Sequence, residues 1–485
     1  MENEINSHPR SSRLSARIMK VMGVFSGVQA LGILCSVVRT KLIALWIGAT
    51  GVGLFGIFNS AIDLISTLTM LGITQSSVRD IAANDHNPTL KARIVTAVRC
   101  WGVLLGLLGA ITVALLSPLL SNWSFGDTNH AWSFAALAVV MFFNALTQTR
   151  SAILQGLKRY RALARASVWG AAGGVIISAP MFRIWGEKSI IPALICFSLV
   201  SYATMKWFSP GLKTEQTPIS RRETMKIGRG FITLGIYLTI SSVFTFGSSY
   251  LFLSWLNKTA SVTEVGFFQA GYTLFNRYAG IIFTAIGVEF FPRLATVSMS
   301  RTRASVYVNH EASLILRLIL PMTALMIVLA PVIVRILYSS EFIPVVPLVV
   351  TGICGTPLRG VSWCMAFTMI ARNDGRVYLV SELASALLYL MLSIGGYKLI
   401  GLEGIGIAYI IWYALYLTMV YVICHRRYGF GLYRRIKMMT AVTMTIGITM
   451  AALALTWPGL WWINVCVCAV VCWFSGRSLL RLWRR

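Results

Sequence analysis

Long apolar runs separated by short polar links dominate the chain from residue 18 onward. Fourteen can be marked, near 18–46, 51–73, 94–120, 131–153, 164–185, 189–208, 230–256, 263–291, 312–336, 345–371, 376–399, 403–424, 438–457 and 461–480. An α-helix needs about 20 residues to cross a hydrocarbon core, and each run comes close to or exceeds that length. A chain in lipid must satisfy its own backbone hydrogen bonds, so runs of this length are read as helices. The pattern predicts an all-α polytopic membrane protein with 14 transmembrane helices.

Composition agrees. Of 485 residues, 56% are hydrophobic and only 12% charged, against about a quarter charged in a soluble protein. Mean hydropathy is +0.72. The net charge of +27 suggests a nucleic-acid partner until the charges are placed. With the N-terminus in the cytoplasm, Arg39, Lys41, Arg183, Lys188, Lys258, Arg335 and Lys398 are the Lys and Arg on the outer side. Arg277 and Arg359 lie deep inside runs, and all the others fall in cytoplasmic segments. That bias is the positive-inside pattern; it predicts cytoplasmic N and C termini and removes the nucleic-acid reading. The first apolar run is too long for a signal-peptide core and lacks a small-residue cleavage site. Nine cysteines within or beside the runs give no disulfide framework. Cys468 and Cys472 share a helix face, but no His or carboxylate joins them, so no metal is expected.

The chain repeats itself. "GVGLFGIFNSAIDLI" (51–65) matches "EVGFFQAGYTLFNRY" (264–278), and "SVRDIA" (77–82) falls opposite "FPRLAT" (291–296). Further on, "RYRALARAS" (159–167) resembles "RVYLVSELAS" (376–385), and "WGEKSIIPALI" (185–195) parallels "GLEGIGIAYI" (401–410). The order and near-constant spacing of the matches mark two copies of one unit. Six runs per copy and an even number between them predict parallel repeats, related by an axis along the membrane normal. The expected organisation is a lobe at 1–205, a polar cytoplasmic linker at 206–229, a second lobe at 230–424, and two further helices with a basic tail at 425–485.

Catalysis is a poor fit. No loop has room for a soluble domain, and there is no GxxxxGK[ST] phosphate loop. "GVGLFG" (51–56) has the GxGxxG spacing, but it opens a membrane helix instead of following a strand, so its glycines are read as packing positions. None of the five histidines lies mid-run, and no acid, base and nucleophile cluster together. The reading is a transporter, with no catalytic residue.

The intramembrane polar groups carry the chemistry. A cation at the bilayer centre costs about 2.5–3.5 kcal/mol on insertion scales and normally faces a bundle interior or a wet cavity. In the first run Ser26, Gln29, Ser36 and Arg39 share a stripe, while Lys41 lies nearly opposite and can snorkel outward. Asn59, Asp63, Ser66 and Thr67 form a polar face in the second run. Gln269, Thr273, Asn276, Arg277, Gly280 and Thr284 do so in the eighth. The repeat sets Asp63 opposite Asn276, beside Arg277. Gly352, Thr356, Arg359 and Ser362 share a face of the tenth run, which Pro357 is expected to kink.

Structural readings stand beside these. Asp63 and Arg277 form an ion pair on one reading, and Arg359 pairs with Glu289 or with backbone oxygens on another. Glu382 is ambiguous. Yet Arg39, Arg277 and Arg359 outnumber the deep carboxylate Asp63, and an unpaired buried charge is expensive. Arginine also suits bidentate phosphate contacts. The surplus points to an anionic, phosphate-bearing ligand.

"VVRTKLIALWIGATGVGLFGIF", "EVGFFQAGYTLFNRY" with "FFPRLA", and "LIGLEGIGIAYI" resemble the Wzx-type polysaccharide transporters. Their superfamily also holds the multidrug and toxin extruders and the lipid II flippase MurJ. The resemblance covers nearly the whole chain. It implies two six-helix lobes around a central cavity that opens alternately to either side of the bacterial inner membrane. It further implies a substrate, an undecaprenyl-diphosphate-linked oligosaccharide moved from the cytoplasmic to the periplasmic leaflet for O-antigen, capsule or a related glycan. On that reading Arg39, Arg277 and Arg359, with Asn59, Gln269 and Asn276, hold the substrate, and Asp63 is the candidate ion-coupling residue. No cofactor is expected beyond H⁺, Na⁺ or the membrane potential. A diphosphate carrying about two charges would gain roughly 4–5 kcal/mol per 100 mV on moving outward. The expected state is a monomer, working alongside polysaccharide polymerase and chain-length machinery. The alternatives are a cation-coupled multidrug antiporter and a membrane glycan polymerase or ligase.

Overall fold

A computed structural model describes residues 31–70, 72–84, 86–209 and 220–483. Their regular structure is helical throughout, with no strand among the described residues. The helices are α1 (31–46), α2 (Ala49–Met70), α3 (Ile73–Ala83), α4 (Pro88–Phe125), α5 (Ala131–Gly156), α6 (Tyr160–Trp185), α7 (Ile190–Trp207), α8 (Arg221–Thr259), α9 (Val262–Tyr272), α10 (Tyr278–Val297), α11 (Arg301–Leu337), α12 (Val346–Ile353), α13 (Thr356–Ala371), α14 (Gly375–Ile400), α15 (Leu402–Ile423), α16 (Arg434–Thr456) and α17 (Trp461–Trp483).

Local sequence sets the helix ends. Asn87 caps α4 by accepting the Leu90 amide at 3.1 Å, with Pro88 at the first helical position. The helix stops at Gly126, whose φ of +83° suits glycine. Ser261 and Ser300 cap α9 and α11 in the same way, accepting from the Glu264 and Arg303 amides.

Nine of the described helical stretches are long and apolar enough to cross a membrane, ten with the pair Ser340–Ile353 and Thr356–Ala371, bent by 47°. This bend lies where Pro357 was expected to kink the tenth run. One of the nine, Tyr160–Trp207, spans 48 residues and is a hairpin. Gly170 of α6 lies against Ser201 and Thr204 of α7, and Gly174 lies against Phe197, so the two helices run antiparallel. The fourteen runs of the sequence count this hairpin twice. They also count the run at 18–46, of which residues 18–30 are outside the described set, α8, whose side chains at 226–238 are likewise outside, and α9–α10, which is interrupted.

The chain divides into two compact units. The first comprises Met1–Ile47 and Ala61–Thr239, the second Gly48–Ser60 and Ile240–Arg485. Helix α2 therefore contributes its first turns to one unit and its remainder to the other. The expected linker is only partly visible, since residues 210–219 are outside the described set.

Within the first unit α4 and α5 pack antiparallel. Gly102 meets Thr149, Gly106 meets Ala145 and Phe142, and Gly109 meets Met141. Small residues let the backbones approach, because packing and not a hydrophobic drive holds helices together in lipid. Apolar side chains such as Ile94, Val98, Ile153 and Leu163 fill the core around them.

The second unit is built on a core of Phe283, Phe290, Ile315, Ile319, Val361 and Met365. Helices α14 and α15 form a hairpin that turns at Gly401 (φ +70°), with Gly396 against Gly404. Asn309 of α11 ties down the approach to α16. It donates to the Ser305 and Gly431 carbonyls at 2.8 and 3.1 Å and accepts the Tyr433 amide at 2.8 Å.

The two copies of the repeated stretch touch here. Gly53 of α2 lies on Val262 and Gly266 of α9, and Gly266 lies on Ala49 and Gly53, so neither has room for a Cβ. Thr50 faces Thr263 across the same crossing, and Gly56 faces Gln269. Just before it Glu341 accepts the Ala49 amide at 3.2 Å, capping α2 from a distant part of the chain.

Candidate substrate-binding site

The predicted residues separate by unit: Arg39 and Asp63 belong to the first, Asn59, Gln269, Asn276 and Arg359 to the second. Arg39 is half-buried on α1, its guanidinium 4.5 Å from the centroid of Phe197 on α7. A cation over an aromatic face gains from the ring quadrupole while keeping its charge. Ser26 and Gln29, the lower members of its stripe, lie outside the described residues. Asp63 is exposed on α2, and its backbone carbonyl accepts from Thr67 at 2.7 Å. One turn earlier Asn59 donates to the Phe55 carbonyl at 2.8 Å, so its amide is engaged by its own helix.

In the second unit Gln269 packs its side chain on Gly56. The backbone beyond it departs from α-helix: Thr273–Arg277 is a π-turn joining α9 to α10. Such a turn hydrogen-bonds i to i+5, leaves carbonyls poorly satisfied, and recurs at functional sites. Arg359 answers it from α13. Its Nη1 donates to the Asn276 carbonyl at 3.1 Å and also to Asn276 Oδ1. The side chain of Arg277 lies outside the described residues, as does any pairing with Asp63.

Arg359 thus meets backbone oxygen, one of its two structural readings. The other partner, Glu289, is bonded to Arg293 one turn along α10. Around the guanidinium stand Phe283, with its ring centroid 5.0 Å away, and Tyr409, whose hydroxyl is 3.5 Å from Nη1. Among the described residues no carboxylate forms an ion pair with it.

One feature here escaped sequence reasoning, an aromatic wall on α15: Tyr409, Tyr413 and Tyr416 recur at helical spacing, Trp412 lies beside them, and Tyr389 of α14 and Tyr272 of α9 join the cluster. Glu382 of α14, ambiguous in the sequence, accepts the Tyr416 hydroxyl at 2.6 Å. The i, i+4, i+7 tyrosines were visible in "AYIIWYALYL", but in an apolar run they read as core. In chemical terms the second unit offers a held cation, a row of phenols and one carboxylate, which suits ligand and ion binding more than bond-making.

The fold has close counterparts among solved structures. The lipid II flippase MurJ in an inward closed conformation superposes with a TM-score of 0.69 at 14% identity, covering 96% of this chain and 100% of that one. A multidrug resistance MATE family transporter in its inward-facing conformation gives 0.64 at 15% identity, covering 86% and 96%. At such identities the likeness is one of fold. In sequence, the "Lipid III flippase" of Escherichia coli (strain K12) is 22% identical over 403 residues, 80% of this chain and 94% of that one. The protein of the same name from Shigella flexneri matches equally. The sequence model described as "Polysaccharide biosynthesis protein" matches residues 43–347. These residues include the repeat crossing, the π-turn and all of the first unit from residue 43 on, and the chain belongs to the polysaccharide biosynthesis protein family.

Proposed function

We propose that this protein is a flippase for lipid-linked oligosaccharides: a transporter and not an enzyme, which turns an undecaprenyl-diphosphate-linked glycan unit from the cytoplasmic to the periplasmic leaflet. Its place is the bacterial inner membrane, as a monomer with both termini in the cytoplasm. The fourteen spans form two six-helix lobes and a C-terminal pair. The cycle is alternating access, in which the substrate binds differentially to two states of the protein. Polysaccharide polymerase and chain-length machinery take the product.

The observation that carries this reading is the cation on Arg359, held in the second unit by neutral partners among the described residues. Arg39, on an aromatic face, is the second cation, and Arg277 completes the set from sequence. A cation held by neutral partners, as Arg359 is among the described residues, favours an anionic ligand. Family membership and the Lipid III flippase relatives support the lipid-linked glycan as that anion. Asp63, exposed on α2, is the residue assigned to reset the empty site with H⁺ or Na⁺; membrane potential is the alternative drive.

The test is leaflet accessibility of a polyprenyl-diphosphate oligosaccharide in proteoliposomes. Faster exchange than in empty liposomes, lost in Arg39→Ala, supports the assignment. Exchange no faster than in empty liposomes, with several glycans and an imposed potential, overturns it. The MATE fold neighbours favour one second reading, a cation-coupled multidrug antiporter. It predicts drug efflux from the same vesicles under a cation gradient and no glycan-lipid exchange.

A further inference from the structure

Glu382 lies seven residues into α14, roughly 10 Å along the helix axis from Gly375. Helix α14 is one of the membrane-capable helices. Its neighbours Ser381 and Ser385 are buried, and its Oε1 accepts from buried Tyr416 at 2.6 Å. Among the described residues no Lys, Arg or His forms an ion pair with it. An ionised carboxylate offers about four acceptor positions. One neutral phenol leaves most of them unfilled in a setting where unpaired charge is costly. A proton removes the charge without disturbing the packing.

The surroundings are set up to sense that proton. Tyr416 and Tyr413 face Glu382 from α15, and Tyr378 faces it from its own helix, one turn nearer the cytoplasmic end. Helix α8 contributes the Ser241 hydroxyl, bonded to Tyr378. From Tyr416 the aromatic face runs on through Tyr413 to Tyr409, with ring centroids 6.3 and 4.8 Å apart. It ends at Arg359 of α13, the charge that holds the π-turn through Asn276.

We propose that Glu382 is an intramembrane proton-binding site, and that the tyrosine face of α15 transmits its charge state to Arg359 and the π-turn. The role assigned to that proton, coupling to transport, rests on the flippase reading; the site itself does not. Proton uptake is a simple equilibrium here: Glu382 carboxylate plus H⁺ gives the acid, which keeps Tyr416 as its partner.

Two measurements separate the levels. In nanodiscs, pH-difference infrared spectra of the wild type should contain a carboxylic acid band that titrates, vanishes in Glu382→Gln and returns in Glu382→Asp. Tyr416→Phe should keep the band and change its proton affinity by about two- to tenfold, the effect of one neutral hydrogen bond. An identical titrating band in the wild type and Glu382→Gln overturns the site. In proteoliposomes with an entrapped pH dye, proton movement should accompany exchange of the polyprenyl-diphosphate oligosaccharide in the wild type and be lost in Glu382→Gln. Unchanged proton movement per exchange event in that variant overturns the coupling role. A titrating Glu382 band without any glycan-lipid exchange supports the site and overturns the flippase reading.

Discussion

Thr50 and Thr263 face each other, hydroxyl to hydroxyl at 3.4 Å, and stand 213 residues apart, the spacing at which "GVGLFGIFNSAIDLI" matches "EVGFFQAGYTLFNRY". Each copy of the internal repeat therefore meets the other at its own counterpart residue. Gly53 and Gly266 repeat the relationship three positions on, and Gly56 and Gln269 three further.

Cysteines at this crossing should report it directly. In a background stripped of native cysteines, Thr50→Cys with Thr263→Cys should cross-link under mild oxidation, and either single variant should not. Where alternating access requires α2 and α9 to part, the cross-linked protein should lose glycan-lipid exchange and regain it on reduction. Gel mobility and the leaflet assay read the two outcomes.

Arg359 and Asn276 should behave as a coupled pair. Hydrogen bonds to charged groups contribute about 1.5–3 kcal/mol, and removing one partner of a buried charge costs more than removing both. Arg359→Ala and Asn276→Ala should each lower thermal stability, and the double variant should lose less than the sum. Strict additivity in a double-mutant cycle would return Arg359 to a role directed at ligand alone.

At the N-terminal end of α14, Asp374 accepts Arg427 at 2.6 Å and the Tyr428 hydroxyl at 2.9 Å. Burial pushes its carboxyl upward, but the bonds from Arg427 and Tyr428 and the Arg427 charge outweigh this and hold it below its ordinary 3.8. A lowered folded-state value means the contact stabilises fully above that ordinary value and is lost as pH falls through the lower one. Arg427 is largely exposed, so the loss should be small. Unfolding at acid and neutral pH should show Arg427→Ala converging with the wild type as pH falls through that lowered value.

Asn309→Leu should be the most damaging of these changes. It leaves the Tyr433 amide and Gly431 carbonyl without their partner in a site 2% exposed. Each orphaned group costs about 1–3 kcal/mol. Asn309→Asp should recover part of the loss, because it still accepts from Tyr433; size-exclusion thermal profiles would rank the three proteins.

The helical class was legible because lipid leaves few choices for a chain whose apolar runs are this long. The glycine crossing was half legible: its members stood in the repeat, but their mutual contact needed the tertiary structure. Around the site, Asn276 and Arg359 were visible as intramembrane polar groups, though their bond to each other was not. A π-turn is decided by what packs on it, and no local residue of Thr273–Arg277 announces it. Glu341 could not be assigned, because the amide it caps lies 292 residues earlier. Tyr409, Tyr413 and Tyr416 were hidden by context, since phenols in an apolar helix look like filling until a carboxylate is found against them.

The π-turn also sets the two copies of the repeat apart. Residues 51–65 match 264–278 at a spacing of 213, and Thr273–Arg277 falls inside the second stretch with no inserted residue. Its counterparts in the first copy, residues 60–64, lie within the α-helix Ala49–Met70. The same run of residues is therefore wound tightly in one copy and widely in the other. A turn closed at i to i+5 takes more residues per turn than one closed at i to i+4, so side chains beyond it are rotated about the axis relative to their counterparts. Equal letters thus end on different faces, and Arg359 is the stitch that holds the difference in place.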